Sequence, residues 1–223
     1  MLCIVQARMS SRRLPGKMLM QLMHRHLLGR TLDRLHFSKT IGKLVVATSD
    51  SVSDDPIADF CAAEGVNCFR GSPDNVAERF RQVLEQERVT QFMRISGDSP
   101  LIDPEIADQA VRYFCAADCD LATNVIARTF PKGQSVEVLL TKTFLQVCDG
   151  LLTRDQQEHC TKFYYQNPTG FRITSFTCDK DYGSLNLSVD TAQDFARVDA
   201  ILERSGNRPG TWRELALIAE AIG

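Results

Sequence analysis

Within its first seventeen residues the chain sets Arg8, Arg12, Arg13 and Lys17 around the hydroxyls of Ser10 and Ser11 and closes the run with Pro15 and Gly16. Four cations on one short loop suit a polyanion. Gly16 lets the backbone approach closely, successive amides can form an anion-binding concavity, and Arg8, Arg13 and Lys17 can neutralise a triphosphate. The loop is not the P-loop pattern G-x-x-x-x-G-K-[ST], because it holds a single Gly. In isolation such a loop reads as a solvated basic turn. Its place directly after the apolar run Leu2-Cys3-Ile4-Val5 turns the reading towards a bound nucleotide.

Two acidic segments complete the chemistry. In Arg94-Ile95-Ser96-Gly97-Asp98-Ser99-Pro100-Leu101 a strand ends in Gly-Asp, so the carboxylate projects from the sheet edge and Gly97 leaves room for a ligand beside it. A carboxylate near a cationic loop suits Mg²⁺, which is held by one or two carboxylates plus substrate phosphates. The bland alternative makes Asp98 a turn-former before Pro100. In Leu187-Ser188-Val189-Asp190-Thr191-Ala192 the acid Asp190 stands where a strand gives way to a helix. It is either an N-cap or a second metal ligand opposite Asp98, and spacing alone does not choose.

These segments must be carried on one scaffold. The 223 residues, 43% hydrophobic, are enough for one α/β domain with a full core, with room for a small lobe around 120–178. Strands are expected at 2–6, 44–48, 66–69 and 92–96. Helices are expected at 27–37, at 57–64 after an Asp55-Pro56 cap, from 72–75 to 87, and from Asp103-Pro104 to 116. That alternation predicts a largely parallel sheet covered by helices, with a ligand crevice at the strands' carboxyl ends. Beyond residue 120, strands are expected at 120–123, 135–139 and 171–177, and helices at 141–150, 153–166, 192–204 and 211–222. Thr153-Arg-Asp-Gln156 and Thr211-Trp-Arg-Glu214 have capping-box form.

Charge and cysteine usage narrow the classes. The net charge of −2 conceals an asymmetry, since no acid precedes Asp33 and the first 32 residues carry +6. A local excess of this kind draws a small phosphate-bearing ligand, whereas a nucleic-acid binder spreads cations along a face. No run is apolar enough to span a membrane. The eight cysteines stand mostly among apolar neighbours, and Cys115-Ala-Ala-Asp-Cys119 has the wrong spacing for a metal knuckle. Reduced thiols in a cytoplasmic protein are expected.

Taken in order, the segments resemble the cytidylyltransferase family that activates acidic sugars, which includes the CMP-Kdo and CMP-sialic acid synthetases, and in particular its spore-coat polysaccharide branch. The resemblance rests on Ala7-Arg8-Met9-Ser10-Ser11-Arg12-Arg13-Leu14-Pro15-Gly16-Lys17 and the Gly-Asp-x-Pro-Leu element at 97–101. It continues through Thr129-Phe130-Pro131-Lys132-Gly133 leading to Val136-Glu137-Val138, Glu158-His159-Cys160-Thr161, and Val189-Asp190-Thr191. It implies a nucleotidyltransferase fold, a three-layer αβα sandwich on a mostly parallel sheet. It further implies that Ala7, Arg8, Ser11, Arg13, Gly16, Lys17 and Gly97 adjoin the nucleotide and that Asp98 and Asp190 hold Mg²⁺. Asn124, Glu137 and His159 would line the sugar side, although a histidine inside a helix is more often a satisfied structural residue.

Arg12, Lys132, Ser135 and Lys162 depart from the family pattern and are expected to make the acceptor pocket more positive. The activity implied is attack of a sugar oxygen on the α-phosphate of CTP, releasing pyrophosphate, with Arg8, Lys17 and Asp98 as catalytic groups. Two rivals stand beside it: a nucleotide-sugar glycosyltransferase, disfavoured because Gly97-Asp98-Ser99 lacks a partner acid, and a non-catalytic nucleotide-binding homologue. Trp212 and the apolar residues Leu215, Leu217 and Ile218 pack either on the domain or across a homodimer interface.

Overall fold

The computed structural model describes residues 1–151, 153–208 and 210–222. Among them, in chain order, are β1 (Leu2–Gln6), the short strands β2 (Gln21–Leu22) and β3 (Arg25–His26), α1 (Leu27–Leu35), β4 (Lys43–Ser49), α2 (Asp55–Ala63), β5 (Asn67–Gly71), α3 (Val76–Glu87) and β6 (Gln91–Ser96). There follow α4 (Pro104–Ala116), β7 (Leu121–Thr123), β8 (Glu137–Leu140), α5 (Thr141–Asp149), α6 (Arg154–Glu158), α7 (Lys162–Gln166), β9 (Ile173–Ser175), α8 (Ala192–Arg204) and α9 (Trp212–Ile222).

Period-two geometry makes β1 a divider. Cys3 and Val5 enter one hydrophobic cluster, while Leu2 and Ile4 enter another on the opposite face of the sheet. The first cluster is closed by α1, α2, α4, α8 and α9 through residues such as Leu32, Ile57, Ile106, Val198 and Leu215. The second is closed by α3, α5 and α7 through Phe80, Phe144 and Tyr164. The result is a three-layer α/β sandwich.

Seven of the described strands form one sheet in the order β5-β4-β1-β6-β8-β7-β9. Pairings are parallel except those that β8 makes with β6 and β7. The strands of the segment 120–178 therefore extend the same sheet. Because β1 lies between β4 and β6, the chain reverses its direction of winding there, which opens a crevice beyond the carboxyl ends of β1 and β6. Register brings Gln6 opposite Ser96, so the loops that start at Ala7 and Gly97 leave the sheet side by side.

Several elements differ from the sequence reading, each for a local reason. α2 begins at Asp55 rather than after it, with Asp54 in the cap position. The Asp54 carboxylate caps no helix amide and is drawn away to Met9 N (2.7 Å) and Ser49 N (3.2 Å). The helix expected over 153–166 is broken. His159 is the C-cap of α6 with φ −109° and ψ 63°, and α7 starts afresh at Lys162. The hairpin β2–β3 has two residues per strand and a turn with Met23 and His24 both at positive φ, where no Gly, Asn or Asp announces it, and it escapes the sequence reading. Asp190 is not the cap of α8; Thr191 is, in a reciprocal box with Asp194. Trp212 is buried within the chain against Phe130 and Tyr182, whereas Leu217 is exposed.

Candidate active site

The cationic loop folds back on itself before it reaches any ligand. Gly16, at φ 75°, donates its amide to Met9 O (2.9 Å), and Ser11 N donates to the same carbonyl (2.9 Å). The αL conformation explains the glycine, since an added Cβ would meet only Met9 Cε at 3.8 Å. Asp54, 1% exposed, pins the other side of the loop through Met9 N. Its position before a helix gives it the look of an ordinary cap, so the sequence offers no signal for this task.

Lys17 turns inward at the loop's end, and its side chain is only 6% exposed. Its Nζ donates to Asp98 Oδ2 (2.8 Å), Val189 O (2.7 Å) and Asp190 Oδ1 (3.1 Å). Arg13 Nη2 lies 3.0 Å from the other oxygen of Asp190. A backbone bond from Val189 N to Asp98 O (3.0 Å) stitches the two acidic segments together. Three stretches distant in sequence thus meet at one ammonium group, and the two carboxylates lie on the same side of the molecule.

These groups line a cavity of about 570 Å³ together with Gln6, Ala7, Arg8, Ser11, Arg12, Met18, Arg94, Ser96, Asp155, Glu158 and His159. It stands at the crevice beyond β1 and β6. A larger hollow beside α1 collects none of the acidic segments and lies away from this edge. Arg8 reaches across the cavity to an ion pair with Glu158 of α6. The floor is a buried network in which Arg94 pairs with Glu137 and donates to Gln6 Oε1 (3.1 Å), while Tyr165 donates to Glu137 and contacts Thr123 Oγ1 at 3.1 Å. Burial pulls Arg94 downward, but the Glu137 carboxylate more than offsets it and holds the guanidinium charged. Burial first, and then the same carboxylate, push the Tyr165 phenol up.

The structure sorts the expected residues. Ala7, Arg8, Ser11, Arg13, Lys17, Asp98, Asp190 and His159 line the cavity. Gly97 does not make space for a ligand: a Cβ there would strike Gln6 O at 2.9 Å, so the glycine is needed for close approach of β6 to β1. Glu137 is consumed by Arg94 and Tyr165 beneath the floor. Asn124, 1% exposed, donates to Gln134 O (2.7 Å) and accepts from Val136 N (3.0 Å), which holds the approach to β8. Of the four departures from the family pattern, Arg12 alone lines the cavity. Ser135 accepts from Arg128 (3.2 Å), Lys162 is matched by Asp155 (2.6 Å), and Lys132 pairs through its backbone with Leu185 and Leu187. Only Arg12 of the four therefore adds positive charge to the cavity, which is less than the sequence reading expects. Glu158, Arg94 and Gln6 also line the cavity, where the sequence reading assigns them no contact.

Two carboxylates converge on one cation beside a basic loop, at the switch point of a mostly parallel sheet, an arrangement of the kind that receives a phosphate-bearing ligand in α/β folds. The cytidylyltransferase family model matches residues 2–195, and the chain belongs to that family. It is similar to the spore coat polysaccharide biosynthesis protein SpsF of Bacillus subtilis, 31% identical over 215 residues that cover 93% of this chain and 88% of that protein. A mitochondrial 3-deoxy-manno-octulosonate cytidylyltransferase of Arabidopsis thaliana is 34% identical over 113 residues, 49% of this chain and 38% of that one. A solved cytidylyltransferase from Leptospira borgpetersenii superposes with a TM-score of 0.94 at 26% identity, covering 98% of this chain and 93% of the other.

Proposed function

We propose that the cavity binds CTP and a sugar acceptor, and that a sugar oxygen attacks the α-phosphate in line to give a CMP-linked sugar and pyrophosphate. The bond from the α-phosphorus to its bridging oxygen breaks, pyrophosphate leaves with that electron pair, and the proton of the attacking hydroxyl passes to water. The observation that carries this reading is the triple meeting of Lys17, Asp98 and Asp190 in the same cavity as Arg8 and Arg13. The relationship to a spore-coat polysaccharide protein supports a surface-polysaccharide sugar as acceptor.

Arg8, Arg13 and Lys17 would bind the phosphate chain and hold negative charge on the departing pyrophosphate, a preorganised arrangement that needs no covalent intermediate. His159, exposed at the cavity's rim, adjoins the acceptor side. The donor set fits Mg²⁺, since Asp98 and Asp190 present hard oxygens that already converge on one cation and leave the remaining positions to phosphate oxygens. When bound, the ion supplies charge neutralisation at the phosphates.

Thermal melts of the purified chain with each of the four NTPs and Mg²⁺ test the reading. CTP at 100 times its Kd adds about 2.7 kcal/mol, roughly a 5–11 °C rise in Tm for a domain of this size. Equal responses to all four nucleotides, or none, would overturn it, as would release of cytidine diphosphate in place of pyrophosphate during turnover.

A further inference from the structure

The Glu-His-x-Thr motif at 158–161 takes no part in the phosphate chemistry proposed above, yet its first residue holds one of the site's cations. Arg8 Nη2 pairs with Glu158 Oε1, with both side chains about a third exposed to the cavity (35% and 37%). Glu158 is the last residue of α6, a five-residue helix with no buried residue. Its ties are polar: a capping box at Thr153, the pair from Lys162 to Asp155, and the bridge to Arg8. α6 lies against α3 but buries none of its own side chains, and an element with few buried contacts sits toward the low end of local stability.

The cavity's cations differ in what a phosphate chain would do to their partners. Arg13 and Lys17 are paired with Asp98 and Asp190, and a divalent cation arriving with the nucleotide gives those carboxylates a replacement partner. Nothing comparable arrives for Glu158. Once a phosphate takes Arg8, its carboxylate is left facing added negative charge.

We infer that Glu158 is an internal stand-in for a substrate phosphate, one that holds Arg8 across the cavity and must be displaced when a nucleoside triphosphate binds. The inference rests on the nucleotide reading of the cavity. Glu158 therefore sets the affinity for the phosphate chain from the opposite wall, and its release frees the end of α6 beside His159, where the acceptor enters.

Calorimetric titration of Mg-CTP into the wild-type chain, Glu158→Gln and Asp155→Asn tests this. Glu158→Gln should bind CTP roughly two- to fivefold more tightly, the size of a partly exposed ion pair. Asp155→Asn removes an equal charge from the same helix but from a carboxylate held by Lys162, and should shift the affinity less. Hydrogen exchange supplies a second readout: CTP should raise exchange across 154–158 in the wild type, and Glu158→Gln should show the raised level before CTP is added. Unchanged or weaker CTP binding by Glu158→Gln overturns the inference, and so does equal tightening by both variants. If the wild-type chain binds no nucleotide, the reading of the cavity falls as well, an outcome distinct from CTP binding that ignores Glu158.

Discussion

The Nζ of Lys17 lies 2.8 Å from Oδ2 of Asp98, although 81 residues of chain separate them. That contact joins the end of the basic loop to the end of β6. It also fixes how the loop must close, because the same nitrogen holds Asp190 and the Val189 carbonyl.

Replacing Lys17 by Met keeps much of the side chain's bulk and removes its charge, leaving two carboxylates without their shared cation. Turnover of CTP to pyrophosphate should fall by roughly two to three orders of magnitude, as for other preorganised charges. A fall of less than tenfold in a folded variant would show that Lys17 serves the loop and not the phosphates.

Asp98→Asn and Asp190→Asn should each move the Mg²⁺ concentration needed for half-maximal pyrophosphate release upward by at least roughly tenfold, with Asp98→Asn also losing roughly two orders in the maximal rate. A normal Mg²⁺ titration in Asp98→Asn would remove it from the metal set.

Gly133 shows how the acidic segment at 189–190 is held in place. Its φ is +89°, and a Cβ would meet Leu187 C at 2.6 Å and Ser188 N at 2.7 Å, backbone atoms that cannot swing aside. Gly133→Ala should cost about 2–4 kcal/mol in urea unfolding, left-handed strain plus overpacking. Gly65, at φ +67° with open space where a Cβ would stand, isolates the strain alone, and Gly65→Ala should cost about 1–2 kcal/mol.

Acid should loosen the start of α8. Burial tends to raise the Asp194 carboxyl, but hydrogen bonds from Thr191, Arg197 and the Asp190 amide outweigh it and hold it below its ordinary value of 3.8. A depressed carboxyl stabilises the fold fully above that ordinary value and loses its contribution as the pH drops through the lower, folded one. The stability gap between wild type and Asp194→Asn, roughly 1–3 kcal/mol at neutral pH, should therefore narrow below pH 3.8. A gap that stays constant down to about pH 2 would contradict this.

Much of this scaffold is legible because local rules and tertiary packing agree. The run Leu2–Gln6 is a strand, and the capped helices from Asn75, Asp103 and Thr153 begin where their side-chain acceptors say they should. The loop and the two aspartates are legible as chemistry. Their company is not. Glu158 meets Arg8 over a separation of 150 residues, and the break at His159 carries no Pro or Gly to announce it. The family resemblance alone makes Glu137 a pocket acid, and its neighbours in sequence say nothing of Arg94, which reaches it through the pairing of β6 with β8.

The three-way junction at Lys17 also has a consequence for biosynthesis. Asp190 follows Lys17 by 173 residues, so a chain emerging from the ribosome has its parallel strands and basic loop in hand long before the final carboxylate appears. Until then the ammonium group has only one of its two carboxylates, and the junction stays open until the segment around Asp190 has been made.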